Sequence, residues 1–129
     1  MPKVKPVGIY REMYPTSRPE LPVLAESYTK RVIADRSNVV EYLREGRPIY
    51  DILEDMVDLV GRREWIRSAR SLRSDGVWVW RVDSIFYLER YSLEIPDEFL
   101  EHARQRDYRP DQEIDFSDQL FKSSYREYI

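Results

Sequence analysis

A single small α+β domain is the fold this sequence predicts, with short helices packed around a β-hairpin or small antiparallel sheet, and three observations predict it. Apolar residues recur at three- and four-residue spacing on both sides of an Asp75-Gly76 dipeptide, which is favoured in hairpin turns. The residues after the dipeptide alternate with period two. No alternating strand–helix–strand pattern marks a parallel sheet, and no internal repeat is visible. At 129 residues and 42% hydrophobic content the chain holds one core, because a chain of this length buries roughly 65–70% of its extended surface on folding.

Five of the eight prolines lie within residues 1–22 (Pro2, Pro6, Pro15, Pro19 and Pro22). Each fixes φ and removes a ladder donor, so 1–22 reads as an extended arm with one edge strand near Gly8–Met13. A globular core over 23–106 and an acidic, aromatic segment over 107–129 complete the organisation. Residues 23–34 and 64–73 fit strand or helix equally. Asp35–Gly46 is a helix, with Asp35 or Ser37 as cap, Val39, Val40, Tyr42 and Leu43 as its apolar stripe and Gly46 at its end. Pro48 opens a second amphipathic helix, in which Ile49, Ile52, Leu53, Met56, Val57 and Val60 repeat at helical spacing up to Gly61.

Val77–Val82 is β-branched and aromatic, so strands flank Asp75-Gly76, and a core position is expected for at least one of Trp78 and Trp80. The upstream strand, over 66–73, rests on that turn alone. Asp83 caps a helix bearing Ile85, Phe86, Leu88 and Tyr91. Pro96 starts another, with Asp97 and Glu98 at its positive end, Arg104 and Arg106 at its negative end, and Phe99, Leu100 and Ala103 inward. Ser117 caps a last helix with Leu120, Phe121, Tyr125, Tyr128 and Ile129.

Composition excludes several chemistries. With no cysteine, zinc sites built on Cys, thiol catalysis and disulfide scaffolds are ruled out. Four scattered glycines make no phosphate loop, and the serines lack a nucleophile-elbow context. His102 is the only histidine. Glu98 precedes it by one helical turn, which is half a metal site, so no metal and no cofactor are expected. Met-Pro-Lys-Val-Lys-Pro has no apolar stretch after it, and no apolar run approaches ~18 residues. The expectation is a cytoplasmic protein that does not enter membranes.

The net charge of -3 hides a basic head and an acidic tail. Asp51, Glu54, Asp55 and Asp58 lie on the polar face of the expected second helix, and Asp111, Glu113, Asp115 and Asp118 lie in the tail. Carboxylates on exposed surfaces add little stability but steer association, so these eight are the candidate contact with a basic protein partner. Arg62, Arg63, Arg67, Arg70 and Arg73, interleaved with Trp65, form an alternative basic patch that could track a phosphate backbone. The pI near 5.3 disfavours nucleic acid as the partner.

Asp35-Arg36-x-x-Val39-x-x-Tyr42-Leu43-x-x-Gly46, then Asp75-Gly76-x-Trp78-x-Trp80-x-x-Asp83-x-x-Phe86-Tyr87-x-x-x-Tyr91, then Pro96-x-x-Phe99, resembles a group of small uncharacterised bacterial proteins. Some members of that group look like immunity proteins that accompany polymorphic secreted toxins. The likeness covers about residues 35–100, with Arg81 where the pattern has proline. It implies an immunity-type role and a toxin domain as partner, and it carries over no catalytic residue. The expected function is therefore a non-enzymatic protein-binding protein. Two alternatives stay open: a small enzyme using surface carboxylates with His102, and a nucleic-acid-binding protein using the Arg62–Arg73 ribbon.

Overall fold

A computed structural model describes residues 3–129. Met1 and Pro2, the start of the Pro-rich segment, lie outside the described residues. In chain order the elements are β1 (Lys5–Pro6), α1 (Arg36–Arg44), β2 (Arg47–Tyr50), β3 (Met56–Val57), β4 (Trp65–Ile66), β5 (Leu72–Ser74), β6 (Trp78–Arg81), α2 (Val82–Arg90), α3 (Asp97–Gln105) and α4 (Gln119–Arg126). The fold is α+β. One sheet has the order β1-β6-β5-β2, with β1 parallel to β6 and the other pairs antiparallel, and β3 pairs with β4 in a separate two-stranded ribbon.

The hairpin organises the core. β5 and β6 pair through Leu72↔Arg81, Arg73↔Trp80 and Ser74↔Val79, and Asp75, Gly76 and Val77 connect them. Only Gly76 takes positive φ, at +93°, so the turn is longer than the two-residue form in which both central residues would need it. All four β6 residues are buried. Trp78 and Trp80 both meet Phe99 of α3 edge-on, at 5.2 and 6.1 Å between ring centroids, which fulfils the core expectation for these tryptophans. The Trp80 indole N–H donates to the Leu43 carbonyl at 2.9 Å. Gly46 is required here for closeness, not for left-handed backbone, since a Cβ would come within 2.2 Å of the Trp80 ring.

Several expectations need correction. Residues 48–60 form no helix. Arg47–Tyr50 instead supplies β5 with an antiparallel partner, and Met56–Val57 pairs with β4. A helical stripe there would have needed a core to cover it, yet Leu53 stands 92% exposed. The edge strand of the N-terminal segment is β1, not Gly8–Met13, and Arg11–Met13 is a single 3-10 turn. Lys5 and Val7 donate to the Val77 and Val79 carbonyls at 3.0 Å, so Pro6 falls on the position that has no donor to lose. Val4, Val7, Ile9, Tyr10, Met13 and Leu21 of this segment are buried in the same core as the helices.

The caps also shift. Arg81, not Asp83, occupies the N-cap position of α2, because the Asp83 carboxylate turns back to make a two-pronged pair with the Arg81 guanidinium at 2.9 and 2.8 Å. Asp118, not Ser117, caps α4, accepting from the Phe121 N–H at 2.9 Å. Val82 starts α2 and does not extend the strand, while the 66–73 segment splits into the end of β4, a turn and the start of β5.

Candidate functional site

The β3–β4 ribbon presents an exposed tryptophan beside arginines whose side chains are unpaired among the described residues. Its register is Met56↔Ile66 and Val57↔Trp65. In this two-residue strand Ile66 is buried and Trp65 is exposed, and Arg63 and Arg67 on either side of it are exposed too. Trp65 is 69% exposed. Arg62, Arg63 and Arg67 are exposed, and their guanidinium groups have no hydrogen-bond or ion-pair partner among the described residues.

The ribbon turn is tied down by hydrogen bonds despite its exposure. Asp58, almost wholly buried, accepts from the N–H groups of Val60 and Gly61 at 2.8 and 3.0 Å and from the Tyr91 hydroxyl at 2.5 Å. Burial opposes its ionisation, but the Tyr91 and backbone donors together hold its carboxyl below the usual pKa. The Tyr91 hydroxyl is pushed up to about 12 by desolvation and by Asp58. The Tyr87 hydroxyl accepts from the Leu59 N–H at 2.9 Å, which ties the turn to α2 a second time. Arg62 follows in the left-handed region at φ 57°, its N–H bonded to the Asp58 carbonyl at 2.9 Å.

The expected carboxylate strip is dispersed by this arrangement. With no helix over 48–60, Asp51, Glu54, Asp55 and Asp58 do not share a helical face. Glu54 pairs with Arg70 at 3.0 Å, Asp55 accepts from the Ser68 N–H at 2.9 Å, and Asp58 builds the turn. In the tail, Asp111 and Asp115 accept from the N–H groups of Glu113 and Ser117, and Asp118 caps α4. Of the eight carboxylates, those of Asp51 and Glu113 alone accept no hydrogen bond and make no ion pair among the described residues. The basic patch divides too. Arg70 is neutralised by Glu54, and the Arg73 guanidinium donates to the Gly46 carbonyl at 2.9 Å at the negative end of α1. The sequence signal for this division was the Asp58-x-x-Gly61 spacing, which is a turn motif inside an apparent helix.

His102 and Glu98 part company. Glu98 is bonded to Lys5, and His102 Nε2 lies 2.7 Å from Asp75 Oδ2. Asp75 is the hub of the hairpin. Its carboxylate also accepts from the Tyr42 hydroxyl and from the N–H groups of Val77 and Trp78 at 2.9 and 2.7 Å. His102 stacks on Phe99, and its Nδ1 lies 3.1 Å from an Arg106 N–H donor. Burial first, then Asp75, raises the Tyr42 pKa. Sequence reasoning missed this Tyr42–Asp75–His102 cluster because its members are 33 and 27 residues apart.

The chain matches no family model, no curated protein and no solved structure. Among the described residues no helix is long and apolar enough to cross a membrane.

Proposed function

We propose that this protein is a non-enzymatic protein-binding module that docks its partner through the β3–β4 ribbon. The observation that carries this reading is Trp65, 69% exposed between the unpartnered Arg63 and Arg67 on a turn fixed by Asp58, Tyr87 and Tyr91. Trp and Arg are the side chains most enriched at binding hot spots, and a rigid display spares the partner the cost of ordering them. Leu53, 92% exposed, adds apolar surface nearby in sequence. The complementary partner presents acidic side chains around an apolar patch, which reverses the charge expected from the carboxylate strip. His102, which the enzymatic alternative would use, is bonded to Asp75, the residue that holds the hairpin to α1 and α3. The immunity-protein resemblance supports a toxin domain as the partner's class.

The test is affinity capture from lysate with the parent chain and with a Trp65→Ala, Arg63→Glu, Arg67→Glu variant, followed by co-expression of whatever toxin-like partner is captured. The parent should retain and neutralise a partner that the variant loses while melting at the same temperature. Equal capture by both would overturn the reading. The same Arg–Trp–Arg row favours single-stranded nucleic acid as the second reading, since a base can stack on Trp65. Oligonucleotide binding by the parent at physiological salt, abolished in the variant, would select it.

A further inference from the structure

We infer that the protein receives an acidic, apolar peptide segment of its partner in the pocket beside the ribbon turn, one apolar side chain filling the pocket and one carboxylate pairing with Arg62. The inference rests on the protein-binding reading above and specifies the partner's chemistry. The pocket, about 230 Å³, lies between the 3-10 turn Leu24–Glu26 and the ribbon turn, with Leu24, Ala25, Tyr28, Leu59 and Val60 as its apolar wall. Two charged side chains, Glu12 and Arg62, complete the lining.

Those two charges are not equivalent. Both Glu12 oxygens are occupied, accepting from the N–H groups of Leu24 and Ala25 at 2.8 and 3.0 Å. Glu12 thus holds the wall of the pocket together and offers little to a ligand. The Arg62 guanidinium has no partner among the described residues, and the residue's backbone N–H is bonded to the Asp58 carbonyl. Glu12 keeps its charge, but its oxygens are taken up by the Leu24 and Ala25 N–H groups, so the group left to pair with an occupant is the Arg62 guanidinium, which favours an apolar occupant with a carboxylate placed beside Arg62 and away from Glu12. A basic segment would meet like charge at Arg62, and an uncharged one would desolvate that guanidinium without pairing it. Tyr28 and Val60, 49% and 38% exposed, are the apolar surface such a segment would cover.

The experiment is amide NMR of the full chain titrated with two blocked hexapeptides, one carrying Leu-Phe between Asp and Glu, the other with Lys in both acidic places. The acidic peptide should shift Leu24, Ala25 and residues 59–62, and the lysine peptide should not. Arg62→Glu should weaken the acidic peptide about tenfold and admit the lysine one. Ala25→Phe, at an exposed position, should block the pocket with the fold intact. Equal binding of both peptides, no binding of either, or shifts confined to residues 63–67 would overturn the inference. So would concentration-dependent broadening of the pocket residues without peptide, which would identify a second copy as the occupant. Failure here is separable from failure of the ribbon reading. If partner capture needs Trp65 but no peptide reaches the pocket, only this inference falls. If the acidic peptide seats in the pocket while the Trp65 variant captures its partner normally, only the ribbon reading falls.

Discussion

The β5–β6 hairpin and the β3–β4 ribbon are two antiparallel pairs built on the same turn chemistry and put to opposite uses. Each turn is pinned by a buried aspartate that accepts two backbone N–H groups and one tyrosine hydroxyl: Asp75 with Val77, Trp78 and Tyr42, and Asp58 with Val60, Gly61 and Tyr91. Around Asp75 the β6 tryptophans pack against Tyr42 and Leu43 of α1 and Phe99 of α3, and β6 has no exposed residue. Around Asp58 the strands stop after two residues, and Trp65 faces solvent. A pinned turn is thus independent of burial. It nucleates a core where helices cover it and presents side chains where they do not.

The strongest way to break that contrast is to remove what the hairpin buries. Trp80→Ala, or Asp75→Ala with its four donors orphaned, should each cost about 3–5 kcal/mol in urea unfolding. A loss under about 1 kcal/mol would mean that the hairpin is no more central than the ribbon.

Acid should separate the two regions by sign. Asp83, paired with Arg81 where β6 runs into α2, is pushed up to about 6 by burial, against the pull of Arg81. Its folded pKa lies above the ordinary value, so its contribution is fully present below about pH 4 and is lost as pH rises to about 6, on the order of 3 kcal/mol. Asp58 of the ribbon is shifted the other way, so its contribution is present at neutral pH and is lost as pH falls below about 4. The stability difference between the parent chain and Asp83→Asn should therefore change between pH 4 and 6, and the difference from Asp58→Asn only below that window. A flat Asp83→Asn difference would refute the assignment.

At neutral pH, Asp58→Ala should cost about 1–2 kcal/mol, less than Asp75→Ala, because water can reach the freed donors of the ribbon turn. It should nonetheless weaken partner binding by loosening Arg62 and Trp65, and an intact binding curve would show that the turn needs no pin. The smallest effect belongs to Trp65→Ala, expected within about 0.5 kcal/mol of the parent in stability while losing the partner. A clear drop in the melting temperature would reassign Trp65 to the fold.

How much of this was legible follows from the range of the interactions. α1, α3 and α4 are carried by local apolar spacing, with Val39, Val40 and Leu43, then Phe99, Leu100 and Ala103, then Phe121 and Tyr125 turned inward, and Asp75-Gly76 announced its turn through local backbone preference. The 48–60 stretch misled because short apolar runs fit either period, and the arbiter was β5, which needed a strand at its edge. The candidate site was half visible. Arg62, Arg63, Trp65 and Arg67 stand together in the sequence, but only the structure separates Arg70 and Arg73 from them, by setting Glu54 beside the first and the Gly46 carbonyl beside the second.

By itself, then, the sequence determined the α+β class, the positions of the four helices and of the hairpin and the absence of cysteine, all of which depend on composition or on residues within a few positions of one another. The tertiary structure decided which charges are spent and which are free, because pairing Glu12 with the Leu24–Ala25 backbone, Asp58 with Tyr91 and Asp75 with His102 requires loop closures over 12 to 33 residues. Local pattern carries no record of such closures, and they are what leave Trp65 and its arginines facing outward.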